Sequence, residues 1–275
     1  MADSTILVIG STGKIGRHVV AGLRDHGATV KAASRRGPVH FDWHDEATWS
    51  QAVDGSDAVY LVDSQDADQI PLLRRFGALA AHRGVRSLVY LSARAAESAN
   101  PALDEREQPV KDAGTEWTIL RPSWFNQNFS EAPGFVRQLR AGELRLPAGQ
   151  GRQPFIDARD IAEVAVAALT QQGHHGRSYD LSGPESIGFT EAVECIARAV
   201  GRELRYRAVD PEQFASRPPA GVDAEVAKSY TRLMAEIAAG RTALLSDGVE
   251  QALGRQPRRF GDFAAETAPT GVWNG

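Results

Sequence analysis

A loop with three glycines is the feature of this sequence that most restricts its fold. The short apolar run Ile6–Ile9 leads directly into Gly10, Gly13 and Gly16, where a helical pattern begins. The first glycine lets the chain turn off a strand, the second lets the backbone approach a pyrophosphate, and the third lets the helix pack on the sheet. The helix start also offers unpaired N–H groups to phosphates. The loop therefore predicts a dinucleotide-binding strand–loop–helix unit, with a purely structural turn as the alternative.

The spacing of the glycines narrows the type of site. It is G-x-x-G-x-x-G, which resembles the extended and atypical short-chain dehydrogenase/reductase superfamily. Within the loop we expect Thr12, Lys14 and Ile15 to contact the cofactor together with the glycines.

Strand and helix patterns alternate through the first half of the chain. Runs rich in β-branched residues, such as Ile6–Ile9 and Ala58–Val62, are typical of strands covered on both faces. Such alternation predicts an α/β fold with a doubly wound parallel sheet, the Rossmann architecture. We expect residues 1–122 to form the nucleotide-binding core. Residues 123–275 would add the remaining sheet elements and a smaller α/β region that covers the substrate.

Composition excludes several classes of function. The 275 residues include 31 Lys and Arg against 35 Asp and Glu, a net charge of −4. This balance argues against a general binder of nucleic acid or anionic membranes, because phosphate contacts need a basic surface. Cys195 is the only cysteine, so we expect no disulfide within the chain and no Cys-rich zinc or iron–sulfur site. His40 and His44 have i, i+4 spacing but lie on either side of a predicted strand end, so we expect no metal site there either. The sequence shows no signal peptide and no apolar run near the roughly 20 residues of a membrane span, which predicts a cytoplasmic protein.

The residues after the second predicted strand indicate which dinucleotide binds. Ser34, Arg35 and Arg36 stand where an NAD-preferring site would carry an acid for the ribose 2′-hydroxyl. A guanidinium pairs with phosphate and stacks on adenine. Ser34 can add a hydroxyl donor, and Lys14 can face the same phosphate. We therefore predict NADP(H) rather than NAD(H), with two solvated arginines as the alternative.

Two further strand ends supply candidate contacts. Asp42 ends the third predicted strand and is followed by Trp43, while the fourth strand ends at Val62. The superfamily resemblance implies that an acid at Asp42 meets the adenine amino group and that the neighbouring backbone lines its pocket. The alternative is that Asp42 caps a helix over residues 43–53. Asp63 can touch ribose or substrate, or cap the following helix.

Four stretches resemble the NmrA-like group of atypical short-chain dehydrogenases. They are the glycine loop and residues 89–93, 116–128 and 155–162, of which the run from Trp117 to Phe125 is the most specific. The resemblance implies that Trp124, Phe125 and Asn128 border the substrate pocket, with plain core packing as the alternative for the two aromatic residues. It also implies that two strand ends flank the nicotinamide: Leu91, Ser92 and Ala93, and Pro122, Ser123, Trp124 and Phe125.

The usual acid/base pair of the superfamily is missing. None of the five tyrosines has a lysine four residues later, as a Tyr-x-x-x-Lys pair requires. We interpret Lys111 as solvated, and Arg121 and Asp160 as structural, with Asp160 capping the helix that follows. Ser92 is then the candidate that orients a substrate oxygen, assisted by Asp63, Asp104 or Asn128.

These patterns favour an NADPH-dependent reductase of a small, fairly apolar molecule. An activated C=N, C=C, quinone or carbonyl group accepts a hydride with little help from a proton donor, and positioning supplies much of the rate. One alternative is a non-enzymatic NADP(H)-sensing regulator that binds a protein partner. Another is a non-redox cyclase or isomerase on the same scaffold.

Overall fold

Strands and helices alternate through the first part of the chain. The computed structural model describes residues 4–64, 66, 68–94, 101–217 and 224–275. Its strands are β1 Thr5–Ile9, β2 Thr29–Ser34, β3 Val39–His40, β4 Ala58–Val62, β5 Ser87–Leu91, β6 Glu116–Pro122, β7 Glu143–Leu146, β8 Arg152–Gln153, β9 Arg177–Leu181, β10 Ile187–Gly188 and β11 Arg205–Ala208. Its helices are α1 Gly16–Asp25, α2 Ala47–Val53, α3 Gln69–His82, α4 Pro101–Lys111, α5 Asn128–Glu131, α6 Pro133–Arg140, α7 Ala158–Thr170, α8 Phe189–Val200, α9 Pro211–Ser216, α10 Ala224–Ala238, α11 Gly248–Leu253 and α12 Phe260–Thr267.

Seven of the strands form one parallel sheet. Their order is β3–β2–β1–β4–β5–β6–β9, and every neighbouring pair is parallel. The chain moves outward from β1 to β2 and β3, then continues on the other side of β1 with β4. The order therefore reverses between β1 and β4, and ligands of such sheets bind beyond the carboxyl ends of the strands at this point. The α/β sheet expected from the sequence is confirmed.

Helices cover the two faces of this sheet. Successive side chains of a strand point to opposite faces, and Leu7 and Leu61 share one apolar core with Phe76 of α3. On the other side, α1 and α7 pack so closely that a Cβ on Gly22 would lie 3.0 Å from Cγ2 of Val166.

Within the described residues, no helix has the length and apolar composition that crossing a bilayer requires.

Helix α7 carries a buried carboxylate. Asp160 has no exposed surface and lies in the first turn of α7, which begins at Ala158, so it does not precede the helix as expected. Its partner is Arg255, with an N–O distance of 2.7 Å. The residue is structural, as its position in the sequence suggests, but it acts as an ion-pair partner.

The chain divides into two compact units. Unit 1 comprises Met1–Pro122, Ala158–Leu181 and Asp247–Arg255, and it contains the seven-stranded sheet. Unit 2 comprises Ser123–Asp157, Ser182–Ser246 and Gln256–Gly275. It contains the antiparallel pair β8–β10 and the parallel pair β7–β11.

Unit 2 has its own apolar core, which is rich in aromatic rings. Phe129, Phe155, Phe189 and Phe260 are almost completely buried in it. The indole N–H of buried Trp273 donates a hydrogen bond to the carbonyl of Phe129 at 2.8 Å. This bond ties the last residues of the chain to the start of α5.

Candidate functional site

The glycine loop follows β1 at the carboxyl edge of the sheet. Gly10 adopts φ +76°, a left-handed conformation that favours glycine. A Cβ on Gly16 would lie only 2.2 Å from the carbonyl oxygen of Gly10, so α1 starts closer to the loop than any side chain allows. At Gly13 the same test gives 3.1 Å, a tighter but less severe approach. The start of α1 can therefore lie this close to the end of β1 only because both positions are glycine.

The backbone and the Ser11 side chain of this loop offer hydrogen-bond donors that have no partner among the described residues. Among the described residues, the backbone N–H groups of Thr12, Ile15 and Gly16 make no backbone hydrogen bond. The Ser11 hydroxyl is buried and has no partner either. Lys14 lies half-buried in the same loop. Buried polar groups in proteins are nearly always hydrogen-bonded, so the three amides and the Ser11 hydroxyl suit an anionic ligand.

The next loop, after β2, carries the two arginines. Arg35 and Arg36 are exposed, and neither forms an ion pair within the described part of the chain. The hydroxyl of Ser34 beside them is buried without a partner. Gly37 closes a tight turn here, with its N–H donating to the Ser34 carbonyl at 3.2 Å. Two exposed cations thus lie at one strand end, beside a buried hydroxyl that has no partner among the described residues.

The structure contradicts the strand end and the helix cap expected at Asp42, while the adenine contact that the resemblance implies at Asp42 and Trp43 stays a prediction. Strand β3 ends at His40, and the Asp42 carboxylate accepts the N–H of His44 at 3.0 Å, a local turn that makes it neither a strand end nor a helix cap. The first amide of α2, that of Ala47, instead donates to Asp45 at 3.1 Å.

The ring of Trp43 belongs to an aromatic cluster. It packs with Phe41, Trp49 and Phe76 at centroid distances of 5.1, 5.6 and 5.4 Å. Its indole N–H donates to the carbonyl of Val62 at 2.9 Å. The structure therefore places Trp43 as a core residue that fixes the end of β4, and its ring is not available to stack on a ligand.

Asp63 does not cap a helix, and its contact with ribose or substrate stays a prediction. It follows β4 with a side chain only 3% exposed, where it accepts hydrogen bonds from Tyr90 and from Arg106, the latter at 3.1 Å. Helix α3 starts later, at Gln69, so Asp63 does not cap it. Burial raises the pKa of Tyr90, and the charge of Asp63 adds to this effect. The phenol of Tyr90 therefore stays protonated and donates a hydrogen bond to the Asp63 carboxylate.

Ser92, after β5, is bound to a buried acid. Its hydroxyl donates to Oε1 of Glu107 at 2.9 Å, and Glu107 has no exposed surface. Arg121 of β6 binds both oxygens of the same carboxylate, and Lys111 lies 3.4 Å from Oε2. Because the proton of Ser92 is used in this way, its oxygen can accept a hydrogen bond from a ligand but cannot donate one while bound to Glu107.

Lys111 is not solvated, contrary to the expectation. Its side chain is 22% exposed, and its ammonium lies 5.8 Å from the ring centre of Trp117. Burial alone would raise the pKa of Glu107, but the hydrogen bonds and charge of Arg121, the Ser92 hydroxyl and the charge of Lys111 outweigh it and lower that pKa. Glu107 is thus a buried carboxylate that pairs with two cations, Arg121 and Lys111.

Backbone hydrogen bonds continue past the end of β5, at the residues expected to flank the nicotinamide. The N–H of Ser92 donates to Leu120 at 2.8 Å, and that of Arg94 donates to Pro122 at 3.0 Å. Leu91 is half-buried and Ala93 is exposed. These bonds extend the pairing of β5 and β6 past the carboxyl end of β5.

In unit 2 the residues after β6 are fixed by a second segment of that unit. The N–H of Asn126 donates to Ile156, and the N–H of Ile156 donates to Trp124, both at 2.8 Å. The hydroxyl of Ser123 donates to the carbonyl of Pro154. Asn128 is 9% exposed at the start of α5.

The two aromatic residues of this segment have different surroundings. Trp124 contacts Phe135, Phe155, Phe189 and Tyr230, with ring centroids between 5.8 and 6.2 Å apart. Phe125 is half-buried and has no ring contact within the described residues. Core packing therefore accounts for much of Trp124 but not for Phe125.

Three residues of unit 1 were missed by sequence reasoning: Tyr90, Arg106 and Glu107. Glu107 and Lys111 are spaced i, i+4 on a helix, and Arg121 interrupts an apolar strand, so a buried ion pair was detectable in principle. The partners of Asp63 carry no such signal, because they are distant in the sequence. Asp104 lies outside the residues whose side chains are described.

The edge of unit 1 fits a phosphorylated dinucleotide. The close approach of Gly16 to Gly10 leaves room for no side chain, and free amides and the orphaned Ser11 hydroxyl follow it. The cations and orphaned hydroxyl after β2 provide a second set of donors. Both sets suit phosphates, since backbone amides bind a pyrophosphate and guanidinium groups bind a monoester.

Comparisons with known proteins find relatives over nearly the whole chain. A model of the NmrA-like family matches residues 2–260. The (4-alkanoyl-5-oxo-2,5-dihydrofuran-3-yl)methyl phosphate reductase of Streptomyces griseus is 37% identical, with 96% of this chain and 98% of that protein covered. The NAD(P)H azoreductase of Xenophilus azovorans is 32% identical over 94% of this chain and 96% of that one.

Solved structures share the fold. An NADPH-dependent quinone oxidoreductase from Escherichia coli, crystallised with NADPH, superposes with a TM-score of 0.79. The alignment covers 95% of this chain and 99% of that one at 21% identity. At such identity the likeness establishes the architecture and nothing finer.

Proposed function

This chain belongs to the NmrA-like family, and from that premise we propose that it is an NADPH-dependent reductase of a small, fairly apolar molecule. The acceptor is an activated C=N, C=C, quinone or carbonyl group. Relatives named as reductases support hydride transfer as the reaction type. The choice among these acceptors and the preference for NADPH depend on the site itself.

One observation carries the proposal: the unpaired cations after β2. Arg35 and Arg36 are exposed without an ion pair in the described chain, next to the orphaned hydroxyl of Ser34. The 2′-phosphate of NADPH is a dianion that guanidinium groups bind by charge-assisted hydrogen bonds. NADH has no such group, so these side chains distinguish the two coenzymes.

The acceptor class follows from the hydrogen bonds after β4 and β5. A bound nicotinamide supplies the hydride. The hydroxyl protons of Tyr90 and Ser92 are held by Asp63 and Glu107, and Asp63 is itself paired with Arg106. Neither of these two hydroxyls, Tyr90 or Ser92, therefore has a proton that it can give to the acceptor. The reaction then depends on positioning, and the acceptor takes its proton from water.

Coenzyme binding tests the proposal. We expect Arg35→Ala and Arg36→Ala each to weaken NADPH binding roughly tenfold, because each removes an exposed charge-assisted hydrogen bond. NADH binding should stay within about twofold. Isothermal calorimetry measures both, and Arg24→Ala, an exposed arginine in the last turn of α1, is the matched control.

Two results would contradict the proposal. Equal losses for NADPH and NADH would show that the arginines do not read the 2′-phosphate. Tight NADPH binding with no oxidation by any quinone, enone or imine would favour the sensing regulator.

A further inference from the structure

Tyr230 stands apart from the other four tyrosines of the chain. The hydroxyls of Tyr90, Tyr179 and Tyr206 each make a hydrogen bond within the protein. That of Tyr60 has no partner, but the residue has no exposed surface. Tyr230 is half-buried, and its hydroxyl makes no hydrogen bond within the described residues. Among the described tyrosines that are not fully buried, it is therefore the one whose hydroxyl remains for a ligand to bind.

The ring of Tyr230 lies against the residue expected to border the substrate. It projects from α10 and meets Trp124 with centroids 6.0 Å apart and planes at 65°. Phe135 is the second ring beside it, at 6.3 Å. Trp124 follows the end of β6 by two residues, and the N–H of Ile156 fixes its carbonyl. Two aromatic side chains of unit 2 thus lie edge to face in one aromatic surface, and the hydroxyl on it has no hydrogen-bond partner among the described residues.

The chemistry of this surface suits a flat, conjugated molecule. Aromatic rings contribute large apolar contacts, and a tyrosine adds one polar group at a defined point. Burial raises the pKa of Tyr230. The phenol is thus protonated at neutral pH and acts as a hydrogen-bond donor.

We propose that Tyr230 is a substrate-binding residue, whose ring and that of Trp124 contact a conjugated acceptor and whose hydroxyl donates a hydrogen bond to an oxygen or nitrogen of it. This rests on the proposed reductase function and narrows its substrates to conjugated molecules with such an atom, of which a quinone is the simplest. The reduction adds a hydride from the coenzyme and a proton from water. Tyr230 keeps its own proton and polarises the acceptor.

Two probes separate the hydroxyl from the ring. A para-naphthoquinone has oxygens that accept hydrogen bonds, whereas an N-methylated dihydroisoquinolinium ion is a conjugated iminium without such an atom. We expect Tyr230→Phe to weaken naphthoquinone binding to the NADP⁺-saturated protein about five- to tenfold, the effect of one neutral hydrogen bond. Binding of the iminium ion should not change. Calorimetry measures both affinities without turnover.

Two further variants act as controls. Tyr206→Phe removes a hydroxyl of the same unit that is bound to the carbonyls of Leu146 and Gly149, so neither probe should bind more weakly. Tyr230→Leu removes the ring as well and should weaken the binding of both probes.

The inference is overturned if naphthoquinone binds Tyr230→Phe as well as the unsubstituted protein, if both probes lose affinity equally, or if naphthoquinone does not bind at all. Failure of the reductase function looks different. In that case naphthoquinone still binds and still depends on Tyr230, but neither probe supports NADPH oxidation.

Discussion

Two stretches along one edge of the sheet in unit 1 differ in whether their polar side chains have partners within the protein. The open stretch comprises residues 10–16 and 34–36. In it the buried hydroxyls of Ser11 and Ser34 and the guanidinium groups of Arg35 and Arg36 have no partner among the described residues. The paired stretch comprises residues 62–63 and 90–93 together with the side chains around them, Arg106, Glu107, Lys111 and Arg121. In it Asp63 and Ser92 are both bound to buried or half-buried charged side chains. Both stretches lie where a dinucleotide is expected to bind.

The difference separates binding from positioning. A buried donor without a partner lowers the free energy of unfolding. We therefore expect such donors where a bound ligand accepts their hydrogen bonds. Groups that already have partners fix backbone and side-chain geometry and leave little for the ligand to bind. We therefore expect substitutions in the open stretch to act on coenzyme affinity, and those in the paired stretch to act on stability.

The largest effect is expected in the paired stretch. Glu107→Ala removes a fully buried carboxylate and leaves Arg121 and Lys111 without their partner. We expect a loss of about 3–5 kcal/mol in the free energy of unfolding, as for other broken buried pairs. Urea denaturation measures it. Glu105→Ala, at an exposed position of the same helix, should change stability by less than about 0.5 kcal/mol.

The pH dependence sharpens this test. The pKa of Glu107 is lowered from its ordinary value of 4.5. The charged form therefore stabilises the fold above pH 4.5, and this stabilisation disappears as the pH falls through the lowered pKa. The difference between the unsubstituted protein and Glu107→Ala should shrink over that range. A difference that stays constant below pH 4.5 would mean that the carboxylate charge contributes nothing.

An intermediate effect is expected in the open stretch. Gly16→Ala places a Cβ 2.2 Å from the Gly10 carbonyl, and the loop must move. We expect a stability loss of about 1–3 kcal/mol and at least a roughly tenfold loss of NADPH affinity, since misplaced amides no longer meet the pyrophosphate. Gly261→Ala, where a Cβ meets nothing within 4 Å, is the control. Unchanged NADPH affinity in Gly16→Ala would break the distinction between the two stretches.

The smallest effect concerns the outer cation of the paired stretch. Lys111→Met keeps the apolar stem but removes the ammonium near Glu107 and Trp117. We expect a loss of roughly 1 kcal/mol in the free energy of unfolding, because Arg121 still neutralises the carboxylate. A change too small to measure by urea denaturation would mean that the ammonium of Lys111 contributes nothing to the stability of the Glu107 cluster.

Local patterns carried most of what could be predicted. The glycine loop, the parallel strands and the arginines after β2 depend on neighbouring residues, and these features lie where the pattern places them. The misplaced end of β3 is also local, since Asp42 closes a turn onto His44. An aspartate beside a strand end is compatible with a cap, a turn or a ligand contact, so its role was not determined by the sequence alone.

The paired stretch was unpredictable for a different reason. Asp63, Tyr90 and Arg106 come from three separate elements, and only the register of the sheet brings them together. Each residue taken singly has a plausible solvent-exposed or ligand-binding role. A polar side chain in the open stretch needs no distant partner to be identified, which explains why its residues were easier to find.

The discontinuity of unit 1 has a consequence for dissecting this protein. Its sheet ends with β9, which the chain reaches only after passing through part of unit 2. A fragment cut after Pro122 would lack the helix that packs on Gly22 and would leave the amides and carbonyls of β6 open along one side, a surface that invites pairing with other chains. The first long segment is therefore not a portable coenzyme-binding module, although its sequence alone looks like one.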